Sequence, residues 1–300
     1  MIAEAAARAL GRPLAAARRV AGGDINEAWL IELEDGLRAF VKTRAGARPG
    51  EYATEAAGLG WLGTVEGGLA VPEVLAVHDA PGDDSPGGGS PAFLALAWID
   101  EGRLDAAGEE ELGRGLALVH AAGASTFGAP PPGADGVLRL GEVELPAATG
   151  DDWPSFYAEH RLEPLLRTAA DGGALPPGGA AAIEDVIAGL PGLAGPPEPP
   201  ARLHGDLWGG NVLAGRDGRP RLIDPAAYGG HREIDLAMLR LFAAPSPRTL
   251  AAYEEVHPLA AGHEQRVPLW QLLPLLVHAI LFGGGYGASA VRAARHAARS

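Results

Sequence analysis

His204-Gly205-Asp206-Leu207-Trp208-Gly209-Gly210-Asn211 is the stretch on which the reading of this 300-residue chain turns. Asp206 and Asn211 stand five apart behind a histidine, and Asp224 follows 18 residues after Asp206. A carboxylate in such a loop can take the proton of a hydroxyl and aim its oxygen at an electrophile. A neutral amide oxygen and a second carboxylate can hold a hard divalent cation without piling up negative charge. Gly-Asp and Gly-Asn pairs are also ordinary turn chemistry, so the loop gains its weight from the spacing to Asp224. The short apolar run before Asp224, Arg221-Leu222-Ile223, would put that carboxylate at a strand end facing a cleft.

Taken together the spacing fits the kinase pattern H-x-D-L-x-x-x-N followed by a metal-binding Asp. It predicts an α+β, protein-kinase-like two-lobe fold that uses ATP and Mg2+. Asp206 is the expected base, and Asn211 and Asp224 are the expected metal ligands. Upstream, Lys42 ends a strand after Phe40-Val41, where such a fold places the lysine that contacts the α- and β-phosphates. Its expected partner is Glu55 on the next helix, with Glu51, one turn earlier on the same face, as the fallback; either could instead be a plain solvated helix charge. Lys42 is the only lysine beside 23 arginines, and Asn26 and Asn211 are the only asparagines. A compact ammonium kept where arginine has taken every other basic position suggests a site that needs it. Chance retention is the plainer reading, but all three residues fall in the candidate phosphate and metal segments.

Gly22-Gly23-Asp24-Ile25-Asn26 lies between two expected strands, where glycines let amide donors approach phosphates. Ala97-Trp98-Ile99, between the lobes, is where adenine would meet backbone groups. Residues 1–99 are expected to form a nucleotide-binding lobe, a small antiparallel sheet with one inserted helix at Glu51 to Leu62. Its strands are Ala28 to Leu33, Leu37 to Lys42, Val71 to Val77 and Ala92 to Ile99, while residues 1–20 read as a first helix. Residues 100–300 read as a mainly helical lobe carrying the catalytic loop and acceptor site. Its helices are Glu109 to Ala122, Trp153 to Ala170 and Ala180 to Leu190, the last ended by the Pro-rich segment 191–200, then helices from Ile234 onward. Asp235 reads as a loop brace at a helix start, His204 as an orienting residue, and His120 and His278 as packing residues.

A formal net charge of −14 argues against a nucleic-acid or anionic-membrane binder. With no cysteine, disulfides, thiolate zinc sites and cysteine nucleophiles are excluded. No apolar run reaches the length of a membrane span, and the N-terminus has no apolar signal core, so the expected location is cytoplasmic. A rival constellation, His204, Asp206, Asp224 and His231 as a metallohydrolase site, leaves Lys42 and Asn211 unexplained.

The chain resembles the fructosamine kinases, or ketosamine 3-kinases, over nearly its whole length. The resemblance is carried by HGDLWGGNV at 204–212, DPAAYGGHREIDLAM at 224–238 and DDWPSFYAEHRLEPLL at 151–166. GGDINEAW at 22–29, FVK at 40–42, EAAGL at 55–59 and LFGGGY at 281–286 add ordered support. Protein serine/threonine kinases commonly carry lysine two residues after the catalytic Asp. Trp208 there points to a sugar-like acceptor and is a candidate stacking residue, with Trp270 to Tyr286 as the wall of that side. The resemblance implies phosphorylation of a ketosamine, on a small amine or a protein lysine, and a deglycation role. A kinase of an aminoglycoside or choline-like amine, or a silent ATP-binding protein, are the other readings. One departure falls before Asp151: the family's Pro-Gln-x-Asn-x-Trp type segment is replaced by Glu144-Leu145-Pro146-Ala147-Ala148-Thr149.

Overall fold

The computed structural model describes residues 2–20, 26–79 and 91–299. The chain opens with α1 (Ile2–Ala9), whose Ala3, Ala5, Ala6 and Ala7 are buried against a sheet. The helix expected over residues 1–20 therefore ends early. Gly11, at φ 66°, and Pro13 break it, and the Ala- and Arg-rich stretch after them is strand β1 (Leu14–Val20). Helix propensity is a weak prior, and pairing with the neighbouring strand overrides it.

Strands β2 (Glu27–Leu33) and β3 (Arg38–Thr43) form the expected hairpin, turning at Gly36 with φ 84°. Helix α2 (Glu51–Gly63), β4 (Val74–His78) and β5 (Phe93–Ala97) complete this lobe. The sheet order is β1-β2-β3-β5-β4, every neighbour antiparallel. Its inward face, Ile31, Leu33, Ala39, Val41, Phe93 and Ala95, packs on α1. Tyr52 and Leu59 of α2 pack against Leu94 and Leu96 on the other face. That contact fixes α2 beside β3.

The second lobe is mainly helical. Helix α3 (Ala106–Ala121) starts at Asp105, whose side chain accepts from the Gly108 N–H at 2.8 Å. A short hairpin follows, β6 (Leu138–Leu140) and β7 (Val143–Leu145). Next come α4 (Trp153–Tyr157), a π turn at Ala158–Leu162 and α5 (Glu163–Asp171), one continuous path where the sequence predicts one helix. Helix α6 (Gly179–Leu193) runs through Pro191 rather than stopping before it, and the Ala194 N–H still reaches Leu190 O at 2.9 Å. Four short strands, β8 (Ala201–Leu203), β9 (Val212–Ala214), β10 (Pro220–Leu222) and β11 (Tyr228–Gly230), pair as β8–β11 and β9–β10. Helices α7 (Glu233–Leu239), α8 (Pro247–Val256), α9 (His263–Trp270), α10 (Leu272–Phe282) and α11 (Tyr286–Ala297) finish the lobe. Its core gathers Trp153, Tyr157, Leu203, Trp270 and Leu276.

The lobes meet at a bridge between Ala70 and Arg221 and at Arg202, whose guanidinium covers the Trp61 ring and bonds the Trp61 carbonyl at 2.6 Å. No helix of the described residues is long and apolar enough to cross a membrane.

Candidate active site

The 204–211 loop leaves β8 and is held from beneath. Asp235, in the first turn of α7, is fully buried and accepts from the backbone N–H of His204 (2.7 Å) and Gly205 (2.9 Å). Its second partner set is His120, whose Nε2 lies 3.2 Å away and whose Nδ1 faces the Tyr253 hydroxyl at 2.8 Å. A carboxylate only accepts, so His120 donates from Nε2, and in the neutral ring Nδ1 accepts the Tyr253 O–H. Asp235 is the brace expected from its position, and His120 is part of that brace rather than plain packing.

His204 acts one layer above. Its Nδ1 accepts the Asp206 N–H (3.3 Å), so its Nε2 donates to Ile223 O (2.9 Å). One neutral imidazole thus ties the Asp206 loop to the strand that ends at Asp224. Burial holds its pKa below the ordinary value, which keeps that tautomer uncharged. Gly205 sits at φ 83°, and a Cβ there would meet Ala226 O at 1.9 Å. Only glycine fits where the loop crosses the 224–228 segment.

Asn211 is buried and donates from Nδ2 to Asp206 O (2.8 Å) and Asp206 Oδ2 (3.1 Å), which turns its amide oxygen the other way. Burial, then the neighbouring Asp224 charge, pushes Asp206 up to about 7. Asp224 has φ 52°, the only non-glycine with positive φ among the described residues. Such backbone strain concentrates at functional positions. The Lys42 ammonium holds Asp224 below the usual carboxylate range.

Lys42 pairs with Ala28 across the β2–β3 ladder and is 5% exposed. It forms an ion pair with Glu55 and lies 3.0 Å from Asp224 Oδ1. Burial alone would lower its pKa, but Asp224 and Glu55 outweigh that and hold it above the ordinary value. Burial pushes Glu55 up to about 7 while Lys42 pulls against it. Glu51 is not the partner: it takes Arg44 through Nε (2.9 Å) and Nη2 (2.6 Å) and the Arg48 N–H (3.0 Å).

Asp206, Asn211, Asp224, Lys42 and Glu55 line one cavity of about 580 Å3. Asn26 also borders it, its amide oxygen receiving the Tyr52 hydroxyl at 3.1 Å. Gly22, Gly23, Asp24 and Ile25 lie outside the described residues. Trp208 stands 39% exposed at the rim, edge-on to Phe242 at 5.8 Å. His278, Phe282 and Tyr286 continue this aromatic wall, as expected for that stretch, and His278 bonds Pro274 O at 2.7 Å. His278 is therefore a wall residue as well as a packing residue. Trp270 is not part of the wall; it is buried and donates to Glu233 at 2.7 Å.

Ala97, Trp98 and Ile99 do not border this cavity. The N–H groups of Ala97 and Trp98 are already given to Glu73 O (2.8 Å) and Arg38 O (3.1 Å). His231 does not join His204, Asp206 and Asp224, as the metallohydrolase reading requires. It stacks on Trp270 beside Glu198 and Glu233, whose carboxylates are taken by Arg232 and Arg266. The sequence reading missed Phe242 and the hairpin residues Leu138 to Gly141 at the cavity edge, and Tyr52, which holds Asn26. Aromatic and apolar residues far apart in sequence give no spacing signal before the fold joins them.

Comparison with known proteins agrees with this geometry. A protein from Thermus thermophilus provisionally named a ketoamine kinase is 35% identical over 265 residues, 88% of this chain and 87% of its own length. A crystal structure from Thermobifida fusca with a provisional fructosamine-3-kinase assignment superposes with a TM-score of 0.88 at 43% identity, covering 100% of this chain and 99% of that one. The aminoglycoside phosphotransferase APH(4)-Ia shares the fold at 17% identity and a TM-score of 0.60, covering 99% and 98%. The family model described as fructosamine kinase matches residues 1–299. With the whole length matched and the kinase-like loop, lysine and second aspartate meeting in one cleft, the chain belongs to the fructosamine kinase family.

Proposed function

We propose that this chain transfers the γ-phosphoryl group of ATP to a sugar hydroxyl of a ketosamine. The observation that carries the proposal is the meeting of Asp206, Asn211, Asp224, Lys42 and Glu55 on one cavity in a chain matched throughout by the fructosamine kinase family. Asp206 is the base: a half-buried carboxyl pushed up to about 7 is well matched to taking a hydroxyl proton near neutral pH. Asn211 holds Asp206 through two hydrogen bonds from Nδ2 and keeps its amide oxygen for a cation. That oxygen and the Asp224 carboxylate are hard donors of the kind Mg2+ takes, and the acids of the cleft outnumber Lys42. When bound, Mg2+ would neutralise charge on the β- and γ-phosphates. Lys42 has three N–H donors, two of them used by Glu55 and Asp224, so one is left for a phosphate oxygen. Asn26 borders the same space and is read as part of the phosphate edge. Of the adenine segment, which lies outside this cavity, Ala97 and Trp98 have spent their N–H groups, so the Ile99 N–H is the amide left for a base edge.

Trp208 and the aromatic wall suit the apolar face of a sugar beside an amine. The acceptor is read as a ketosamine on a small amine or a protein lysine, and its phosphorylation as a deglycation step. The test is ADP release with Mg-ATP over fructosamines, ribulosamines, an aminoglycoside and choline, with the phosphate located by NMR. Signal on a ketosamine hydroxyl is expected. Turnover with the aminoglycoside or choline alone would overturn the acceptor assignment.

A further inference from the structure

The departure from the family pattern before Asp151 adjoins a built structure. In β6 and β7, Leu138, Leu140 and Leu145 are buried in the second lobe's core, so alternation turns Arg139 and Glu144 to the other face. Glu142 sits in the turn between the strands. That face meets the first lobe. Arg44, just after β3, forms ion pairs with Glu51, the first residue of α2, and with Glu142. Arg48 reaches Glu142 (3.3 Å) and Glu144 (3.0 Å). The Thr54 hydroxyl, on α2, bonds Asp135 at 3.2 Å. Arg139 is clamped between Asp135 (3.0 and 2.6 Å) and Glu144 (3.1 Å). Arg44 and Arg139 are largely buried, at 10% and 14% side-chain exposure, while Glu142 is half-exposed.

We propose that this hairpin is an electrostatic latch that positions α2, and with it Glu55 against Lys42, making Glu142 a positioning residue for the phosphate clamp. Glu55 lies one turn after Glu51 on the same face, so the anchor and the clamp share one rigid element. The hairpin also borders the acceptor end of the cavity through Leu138 to Gly141. The latch thus links the acceptor rim to the nucleotide side across the gap between lobes. This inference rests on Lys42 contacting nucleotide phosphates, the reading given above.

The test titrates Mg-ADP into the full chain by calorimetry and follows amide exchange of residues 51–63. Glu142→Lys sets like charge against Arg44 and Arg48. It is expected to weaken Mg-ADP binding about three- to tenfold, the scale of a partly exposed charge network, and to speed exchange in α2. Glu142→Asp, which keeps the charge, stays near wild type, and the gap between wild type and Glu142→Lys narrows in 1 M KCl, where a Debye length of roughly 3 Å weakens the half-exposed Glu142 side of the network. Lys42→Met is the control and should lose most nucleotide affinity. Unchanged affinity in Glu142→Lys with a weakened Lys42→Met overturns the latch and leaves the nucleotide assignment standing; a lowered melting temperature alone does not rescue it. Unchanged affinity in Lys42→Met overturns the nucleotide assignment and the latch's role with it. If circular dichroism shows that Glu142→Lys does not fold, Glu142→Gln is read by the same criteria.

Discussion

Asp206→Asn should abolish turnover and, in the same molecule, raise the stability of the ligand-free chain above neutral pH. Asp206 carries a carboxyl whose pKa rises from 3.8 to about 7 on folding, because of burial first and the Asp224 charge second. An acid raised on folding keeps its proton longer in the folded state. Its contribution is complete below the unfolded pKa and is lost as pH rises toward the folded one, where ionised Asp206 sits in the fold at a cost. At about 1.4 kcal/mol per pH unit that cost would level off between about 4 and 5 kcal/mol above pH 7. The carboxylate is partly open to the cavity and shares its titration with Asp224, so about 2 kcal/mol is the expected gain. Asparagine keeps the shape and an acceptor for Asn211 without the charge. Urea unfolding in EDTA without nucleotide, at pH 5, 6, 7 and 8, measures the difference. The variant's advantage should grow with pH and level off above 7, while Mg-ADP binding is retained. A difference that stays flat with pH, or a wild type more stable at pH 8, would refute the buried, charge-crowded Asp206; normal turnover in the variant would refute its role as base.

Other outcomes follow from the same geometry. Asp235→Asn replaces one acceptor oxygen by a donor facing backbone N–H groups of His204 and Gly205, and should cost about 3 kcal/mol in urea unfolding and about a hundredfold in kcat as the loop shifts. Gly205→Ala drives a Cβ to 1.9 Å from Ala226 O at φ 83° and should lower the melting temperature by several degrees or prevent folding, roughly a 2–3 kcal/mol effect. Removing divalent cation with EDTA should stop ADP release, and adding Mg2+ back should restore it; activity that persists in excess EDTA would remove Asn211 and Asp224 from the metal role.

The loop end of the candidate site was legible because its residues are local. His204, Asp206 and Asn211 lie within one loop, and the sequence spacing alone brings Asp224 to the neighbouring strand end. Asp235 was readable as a brace because a carboxylate at a helix start has few other uses. Glu55 was favoured over Glu51 but not fixed, since both lie on one helix face; Arg44, two residues beyond Lys42, claims Glu51 and leaves Glu55 for the lysine. Strand β1 was hidden because Ala and Arg carry helix propensity, and only pairing with β2 makes them a strand. The latch was hidden for a different reason. It pairs residues 44–54 with 135–144, and ordinary arginines and glutamates carry no sign of their partners until the fold brings them together.

The site holds several features that raise the free energy of the empty chain. Asp206 and Glu55 are both pushed up to about 7, and Asp224 keeps a positive φ that only glycine adopts freely. A sequence selected for stability alone would relieve each of them, by an amide at 206 and 55 and a glycine at 224. The surroundings instead hold them in place: Asp235 and His120 are buried beneath the loop, and His204 ties the two strand ends together. Strain that is braced rather than relieved is what a site needs when its charge is completed from outside. In the proposed reading a phosphate-bound cation would supply that missing charge, and the cost in the empty chain would become affinity for the nucleotide. The same argument does not extend to the acceptor rim, where the hairpin's charges are already paired with one another. The segment that departs from the family keeps Glu144 paired with Arg48 and Arg139, so the chain varies there without leaving those charges unpaired.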